Sequence, residues 1–207
     1  MNSHSTGPRW TADTLVGGHP YLDFLNTGGG STKARDASHF DGWADALDWL
    51  GMAGLASAAE RRMLARLAGG KGAGAALNRL VAQRESGYMV LSAVARDAAP
   101  PEAARLHLEN DIRLALRHAA LPLFPDRQNL WQVDASAAGL DLPRHRLALS
   151  AQGLIADGLL PRLHECEACT WLFLDTSRGK RRRWCSMATC GNRAKARRHY
   201  QARQAAG

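Results

Sequence analysis

Cys166, Cys169, Cys185 and Cys190 are the only cysteines of a 207-residue chain, and all four fall within 25 residues. The first two make a C-x-x-C pair, fifteen residues separate Cys169 from Cys185, and four lie between Cys185 and Cys190. Two close pairs of thiols joined by a spacer of this size are the pattern of a closed structural zinc site. Two disulfides would demand an oxidising compartment, and Met1–Val16 carries no apolar run of signal-peptide length. A redox C-x-x-C would leave the second pair unexplained. Iron–sulfur is the competing metal, since thiolates suit both; the tight knuckle favours Zn2+, the expected cofactor. Four thiolates leave the ion no position for water, so no hydrolytic chemistry is expected there and no catalytic residue is assigned.

Between the pairs, Trp171–Leu174 is predicted to be a strand and Arg183–Cys185 its return, with Asp175–Gly179 supplying turn residues. After Cys190, a run rich in Ala, Lys and Arg predicts a helix from about Thr189 to about Arg203. A knuckle, a hairpin and a helix carrying the last ligand resemble a treble-clef finger, although the gap before Cys190 is longer than the commonest second-pair spacing. So small a module buries little apolar surface, and zinc should supply its folding free energy, about 10–16 kcal/mol in zinc-finger peptides. Arg182, Arg183 and Arg193 are placed to offset the excess thiolate charge and to donate hydrogen bonds to sulfur. His164, two residues before Cys166, is a spare ligand type, but four cysteines already fill the tetrahedron.

Trp184-Cys185-Ser186-Met187 followed by Cys190-Gly191-Asn192-Arg193, with Trp171 to Arg178 before them, resembles the CGNR zinc-finger family of bacterial proteins. That family's usual companion is an N-terminal helical domain described as a stress-induced transcription regulator, and Gly18-His19-Pro20 to Asn26-Thr27 resembles its start. The resemblance implies DNA binding and transcriptional regulation.

The net charge of +8 is unevenly placed: Asp175 to the end holds ten Lys or Arg against one Asp, while the first 174 residues hold 17 basic and 18 acidic groups. This segregation points to an anionic partner such as nucleic acid. The expected contacts are Arg178, Lys180, Arg181, Arg182 and Arg183 in the hairpin, and Asn192, Arg193, Lys195, Arg197 and Arg198 on the helix. Asn192, Arg193 or Arg197 would reach base edges if the helix enters the major groove; equally, Asn192 would brace the loop around Cys190.

The rest of the chain reads as mainly α, a helical regulatory or ligand-sensing domain over residues 1–158 ahead of a finger over 159–207. Met1–Asp13 is a polar, frayed end. A short helix holds Leu22 and Leu25, and Gly28–Gly30 ends it in a flexible loop. Asp41 is expected to cap a helix through Trp43, Leu47 and Leu50. Ser57 with Glu60 makes a capping box for a helix burying Met63, Leu64 and Leu67. A longer helix runs from about Gly74 to Ala98, with Gly87 as its weak point. One from about Glu102 to Ala120 turns Leu106, Leu108, Ile112 and Leu116 inward, and one from about Pro143 to Asp157 does so with Leu147, Ala151, Leu154 and Ile155. Leu130–Val133 reads as a strand whose best partner lies near Leu140. His19, Asp23 and Asn26 either line a small-molecule pocket or hydrogen-bond the turn and cap the helix.

No apolar run is long enough for a membrane helix, and a cytoplasmic location is expected. Two function classes follow. One is a DNA-binding transcription regulator whose helical domain senses a small-molecule effector or forms a homodimer. The other is a zinc-stabilised RNA- or protein-interaction module. An enzyme is not expected.

Overall fold

The computed structural model describes residues 10–11, 14–69, 72–123, 131–179 and 181–205. The expected frayed end lies mostly outside these residues, as do Leu130 and Lys180. The protein is mainly α. Local signals explain where most helices begin. Pro20 at the first turn and the His19 ring, whose Nδ1 accepts from the Tyr21 N–H at 3.2 Å, open α1, Pro20–Leu25. The Asp45 carboxylate accepts from the Asp41 and Gly42 N–H groups and starts α2, Trp43–Met52, so Gly42 and not Asp41 is the N-cap. The Ser57–Glu60 capping box opens α3, Ala58–Leu67, as its sequence predicts. Then follow α4, Gly72–Ala95, α5, Glu102–Arg117, a one-turn α6, Ala135–Ala138, and α7, Leu142–Ala156, which has Pro143 in its first turn.

Tyr21, Leu22, Phe24 and Leu25 are fully buried, so these four residues of α1 form the centre of the core, against Trp49, Leu64, Leu80, Leu91 and Leu147 from the surrounding helices. Phe24 packs on Trp49 with ring centroids 5.7 Å apart. Gly87 is the point where α4 passes under Tyr21: a Cβ there would lie 2.1 Å from the Tyr21 hydroxyl. The glycine that weakens helix propensity is required by close packing. Leu67, Leu106 and Ile155, expected inside, are 52, 42 and 42 % exposed. On α5 the inward face carries Ala104, Leu108, Asp111 and Ala115, a spacing that leaves Leu106 on the opposite side.

The strands depart most from expectation. β1, Ala119–Ala120, pairs antiparallel with β2, Gln132–Val133, so the partner of the 132–133 segment is the stretch just after α5 and not the neighbourhood of Leu140. β3, Leu163–Glu165, pairs antiparallel with β4, Leu172–Leu174, in the register Leu163↔Leu174 and His164↔Phe173. The expected return strand at Arg183–Cys185 does not form, because the turn before it is held by side chains. Asp175 accepts from the Ser177 and Arg182 N–H groups at 2.8 and 2.9 Å. Last comes a π-turn, Met187–Gly191, running into α8, Asn192–Ala205.

β4 serves two cores. Alternate side chains of a strand face opposite ways: Leu172 and Leu174 join the helical core, while Phe173 joins the cysteines. The sheet gains a further bond where the Leu174 N–H donates to the Gly17 carbonyl at 2.8 Å.

Candidate metal centre and nucleic-acid interface

Cys166, Cys169, Cys185 and Cys190 are at most 1 % exposed, and their Sγ atoms all lie within 4.8 Å of one another. Three of the separations, Cys169–Cys185, Cys185–Cys190 and Cys190–Cys169, are 3.7, 3.6 and 3.6 Å. A tetrahedron with metal–sulfur bonds of about 2.3 Å has edges of about 3.8 Å, so the donor set and its spacing fit a four-thiolate ion. The knuckle is shaped for thiolates: the Ala168 N–H donates to Cys166 Sγ at 3.4 Å and the Trp171 N–H to Cys169 Sγ at 3.5 Å. Cys190 sits in the π-turn, closed by the Gly191 N–H donating to the Ser186 carbonyl at 3.0 Å. At Gly191 the chain passes close under Met187: a Cβ there would meet Met187 Sδ at 2.7 Å and would push that half-exposed side chain aside.

With no cation among them, the four thiols cannot ionise together. Hydrogen bonds from Cys169 and Cys185 stabilise the Cys166 thiolate and hold its pKa down, while the bond to Cys166 pushes Cys169 up to about 12 and Cys185 higher still. A dication in their midst removes that conflict, because it stabilises every thiolate. The four cysteines therefore form a metal-binding site. His164 stays outside it, tilted against Phe173 at 5.9 Å between rings.

The arginines around the centre divide into two sets. Arg193 donates to Cys190 Sγ at 2.9 Å and to the carbonyls of Ser31 and Gly30 at 2.9 and 3.2 Å. Arg182 lies 4.3 Å over the Phe173 ring and donates to the carbonyls of Trp184, Val16 and Cys185. Arg183 makes a two-pronged ion pair with Glu167, both bonds 2.6 Å. Of the three arginines expected to donate to sulfur, Arg193 does so and the other two bind oxygen. The Asn192 amide donates to the Ala188 carbonyl at 3.1 Å, so it braces the π-turn. Arg178, Arg181, Lys195, Arg197 and Arg198 are exposed and have no side-chain partner among the described residues, and Arg203 at the far end of α8 is like them. Lys180 lies outside the described residues. No residue of α8 from Asn192 to Gln204 is buried.

Sequence reasoning misses how the finger is seated. The Gly28–Ser31 segment, expected to be a flexible loop, is its socket. Trp171 Nε1 donates to the Gly28 carbonyl at 3.2 Å. A Cβ on Gly29 (φ +69°) would lie 2.1 Å from Thr170 Oγ1, and one on Gly30 (φ +101°) 2.5 Å from Trp171 Nε1. These left-handed backbones and close approaches together require glycine. Lys33 Nζ donates to Glu165 Oε1 at 2.8 Å and to the Cys166 carbonyl at 2.5 Å. Arg35 and the buried Arg84 anchor the socket from below: Arg35 donates to the carbonyls of Gly28 and Leu25, Arg84 to that of Thr27, and both pair with Glu85.

His19, Asp23 and Asn26 do not converge on one pocket. His19 caps α1. Asn26, 2 % exposed, donates from Nδ2 to the Leu172 carbonyl and accepts at Oδ1 from the Leu172 N–H, both at 2.8 Å. Asp23 Oδ1 accepts from the Gly17 N–H at 2.7 Å. Burial pushes the Asp23 carboxyl up to about 6, against the opposing pull of that hydrogen bond. A raised carboxyl pKa means that the folded state holds a proton the unfolded state has lost. The associated stability is complete below about pH 4 and is lost as pH rises through about 6. Asp23→Asn, which keeps the acceptor, is expected to raise the unfolding free energy at pH 7.5 by up to about 3 kcal/mol and to leave it unchanged near pH 4. Urea titrations at the two pH values check this; an equal effect at both would contradict it.

Comparison with known families gives two matches. Residues 18–160 match the model described as "Putative stress-induced transcription regulator", and residues 162–203 match the CGNR zinc finger. Among curated proteins, no match is found.

Proposed function

We propose, for a chain that belongs to the stress-induced transcription regulator family and ends in a CGNR zinc finger, that it binds duplex DNA through a zinc-ordered finger. On this reading it acts as a non-enzymatic regulator in the reducing cytoplasm, where the thiols stay free to bind Zn2+. One observation carries the reading. After the arginines committed to the finger's own framework are set aside, seven exposed cations without side-chain partners among the described residues are left on the finger: Arg162, Arg178, Arg181, Lys195, Arg197, Arg198 and Arg203. Of the ten expected contacts, Arg178, Arg181, Lys195, Arg197 and Arg198 remain available to a partner on this reading, Arg182, Arg183, Asn192 and Arg193 serve the framework, and Lys180 lies outside the described residues. A helix polar on every side gains little from its own protein, and its self-repelling charge favours a polyanion.

The framework arginines and the free ones should respond differently to substitution. Neutralising about six phosphates gives a log–log salt slope of about −5 for the full chain on a mixed-sequence duplex. Arg197→Ala and Arg198→Ala should each weaken binding evenly across sequences and flatten the slope by about 1, with the metal content unchanged. Binding that is insensitive to salt, or a metal-loaded chain that ignores duplex DNA at low salt, rejects the reading in favour of RNA or protein as the partner.

A further inference from the structure

We propose that the open cleft at the carboxyl end of α7 binds a planar aromatic cation, an amine or amidine carried on a ring. The cleft, of about 600 Å³, lies between the start of α1, the turn after α2, β2 and α7, and is lined by His19, Leu55, Trp131, Leu149 and Asp157 among others. That size suits a small molecule.

The sign of the ligand follows from which charges are already matched. Arg146 also lines the cleft, but both its terminal nitrogens bind Glu60, at 3.0 and 2.6 Å, and one also binds the Leu55 carbonyl. Its positive charge is therefore matched inside the protein. Asp157 is exposed, and its carboxylate has no ion-pair partner among the described residues. It also caps the C-terminus of α7, whose last turn contains no basic residue. The carbonyl end of a helix carries partial negative charge, so a carboxylate placed there repels it. A bound cation would relieve both at once. His19 adds no positive charge: its Nδ1 accepts from the Tyr21 N–H, which places the ring proton on Nε2, and burial holds its pKa down against the smaller opposing pull of the Asp157 charge.

The shape of the ligand follows from the walls. Trp131 is 43 % exposed beside the aliphatic Leu55 and Leu149. An indole face with apolar neighbours favours a flat ring, and favours it more when that ring is cationic.

The same segment connects the cleft to the finger. His19 follows Gly17 and Gly18, and the Gly17 carbonyl accepts from the Leu174 N–H at 2.8 Å. At its other end α1 runs into Asn26, which grips Leu172. An occupant that favours one position of residues 17–26 thus acts on β4, to the extent that it binds that position better. The binding claim stands apart from the DNA reading; only its consequence for DNA rests on that reading.

Titration calorimetry on the intact metal-loaded protein, without DNA, tests the site. The probes are tryptamine and benzamidine, with indole-3-acetate and benzoate as anions of like shape. Both cations should bind saturably with Kd of about 1 mM or tighter, the range open to a fragment of about a dozen heavy atoms. The anions should bind at least about fivefold more weakly, and Asp157→Asn and Trp131→Ala should each weaken tryptamine by about fivefold. The proposal is overturned if neither cation binds, if the anions bind as well, or if both variants bind tryptamine like the parent.

Discussion

Chelating the metal from the intact, reduced protein is expected to collapse the finger and to destabilise the helical core with it. The magnitude comes from what the ion offsets. Four sulfurs within 4.8 Å of one another, three of them 3.6–3.7 Å apart, are tolerable as thiolates only around a cation, and structural zinc contributes about 10–16 kcal/mol in finger peptides. A whole domain is stable by only about 5–15 kcal/mol, so even part of that loss is decisive for the module. The cysteine cluster is otherwise small: Phe173 is its one fully buried ring, with Val16, Ala168, Trp171 and Trp184 packed partly against it. Damage spreads because Leu163, Leu172 and Leu174, on the strands that carry the knuckle, belong to the helical core. A chelator should therefore abolish the near-ultraviolet signal of Trp171 and Trp184, release one equivalent of zinc and lower the melting temperature of the remaining helices. Cys190→Ala should reproduce all three. An apoprotein with an unchanged near-ultraviolet spectrum and melting curve would refute both the metal assignment and the coupling.

What the sequence reveals and what it hides have separate physical causes. Features set within one or two turns are legible. The Ser57–Glu60 capping box, Pro20 and Pro143 at helix starts, and the spacing of the four cysteines each act on near neighbours and need no knowledge of the fold. Strand pairing is different. β1 to β4 are two or three residues long, too short for an alternating pattern to identify a partner. β4 takes β3 because Leu163 and Leu172 share the helical core, a fact no local window contains. The same holds for charge. Composition locates the excess on the finger, yet gives no direction to a side chain: Arg193 turns inward to Cys190 Sγ and Ser31, while Arg197, one turn on, stays exposed without a side-chain partner among the described residues. The Gly28–Gly30 run looks like a linker because its purpose, room for Thr170 and Trp171, lies about 140 residues away in the chain.

Asn26→Ala is expected to cost about 2–6 kcal/mol of stability and to speed loss of metal without lowering its stoichiometry. Asn26 is 146 positions from Leu172, yet its amide imitates a neighbouring strand, donating to the Leu172 carbonyl and accepting from the Leu172 N–H. Both partners are fully buried with Leu172 itself. Truncation loses two hydrogen bonds, each worth about 1 kcal/mol net; the greater cost comes from the orphaned N–H and carbonyl left without water, about 1–3 kcal/mol apiece. Asn26→Asp should be at least as harmful, since it sets a carboxylate oxygen against the Leu172 carbonyl in a site with no room for solvent. The matched control is Asn192→Ala, which removes one exposed bond to the Ala188 carbonyl and should cost less than about 1 kcal/mol. Denaturant titration combined with metal-release kinetics separates the two asparagines. If Asn26→Ala proves as mild as Asn192→Ala, β4 is held by its apolar side chains and its bonds to β3 and Gly17, and the Asn26 amide does not fix the finger to the helical core. The energetics favour the first outcome, because a strand of three residues has few other bonds with which to compensate.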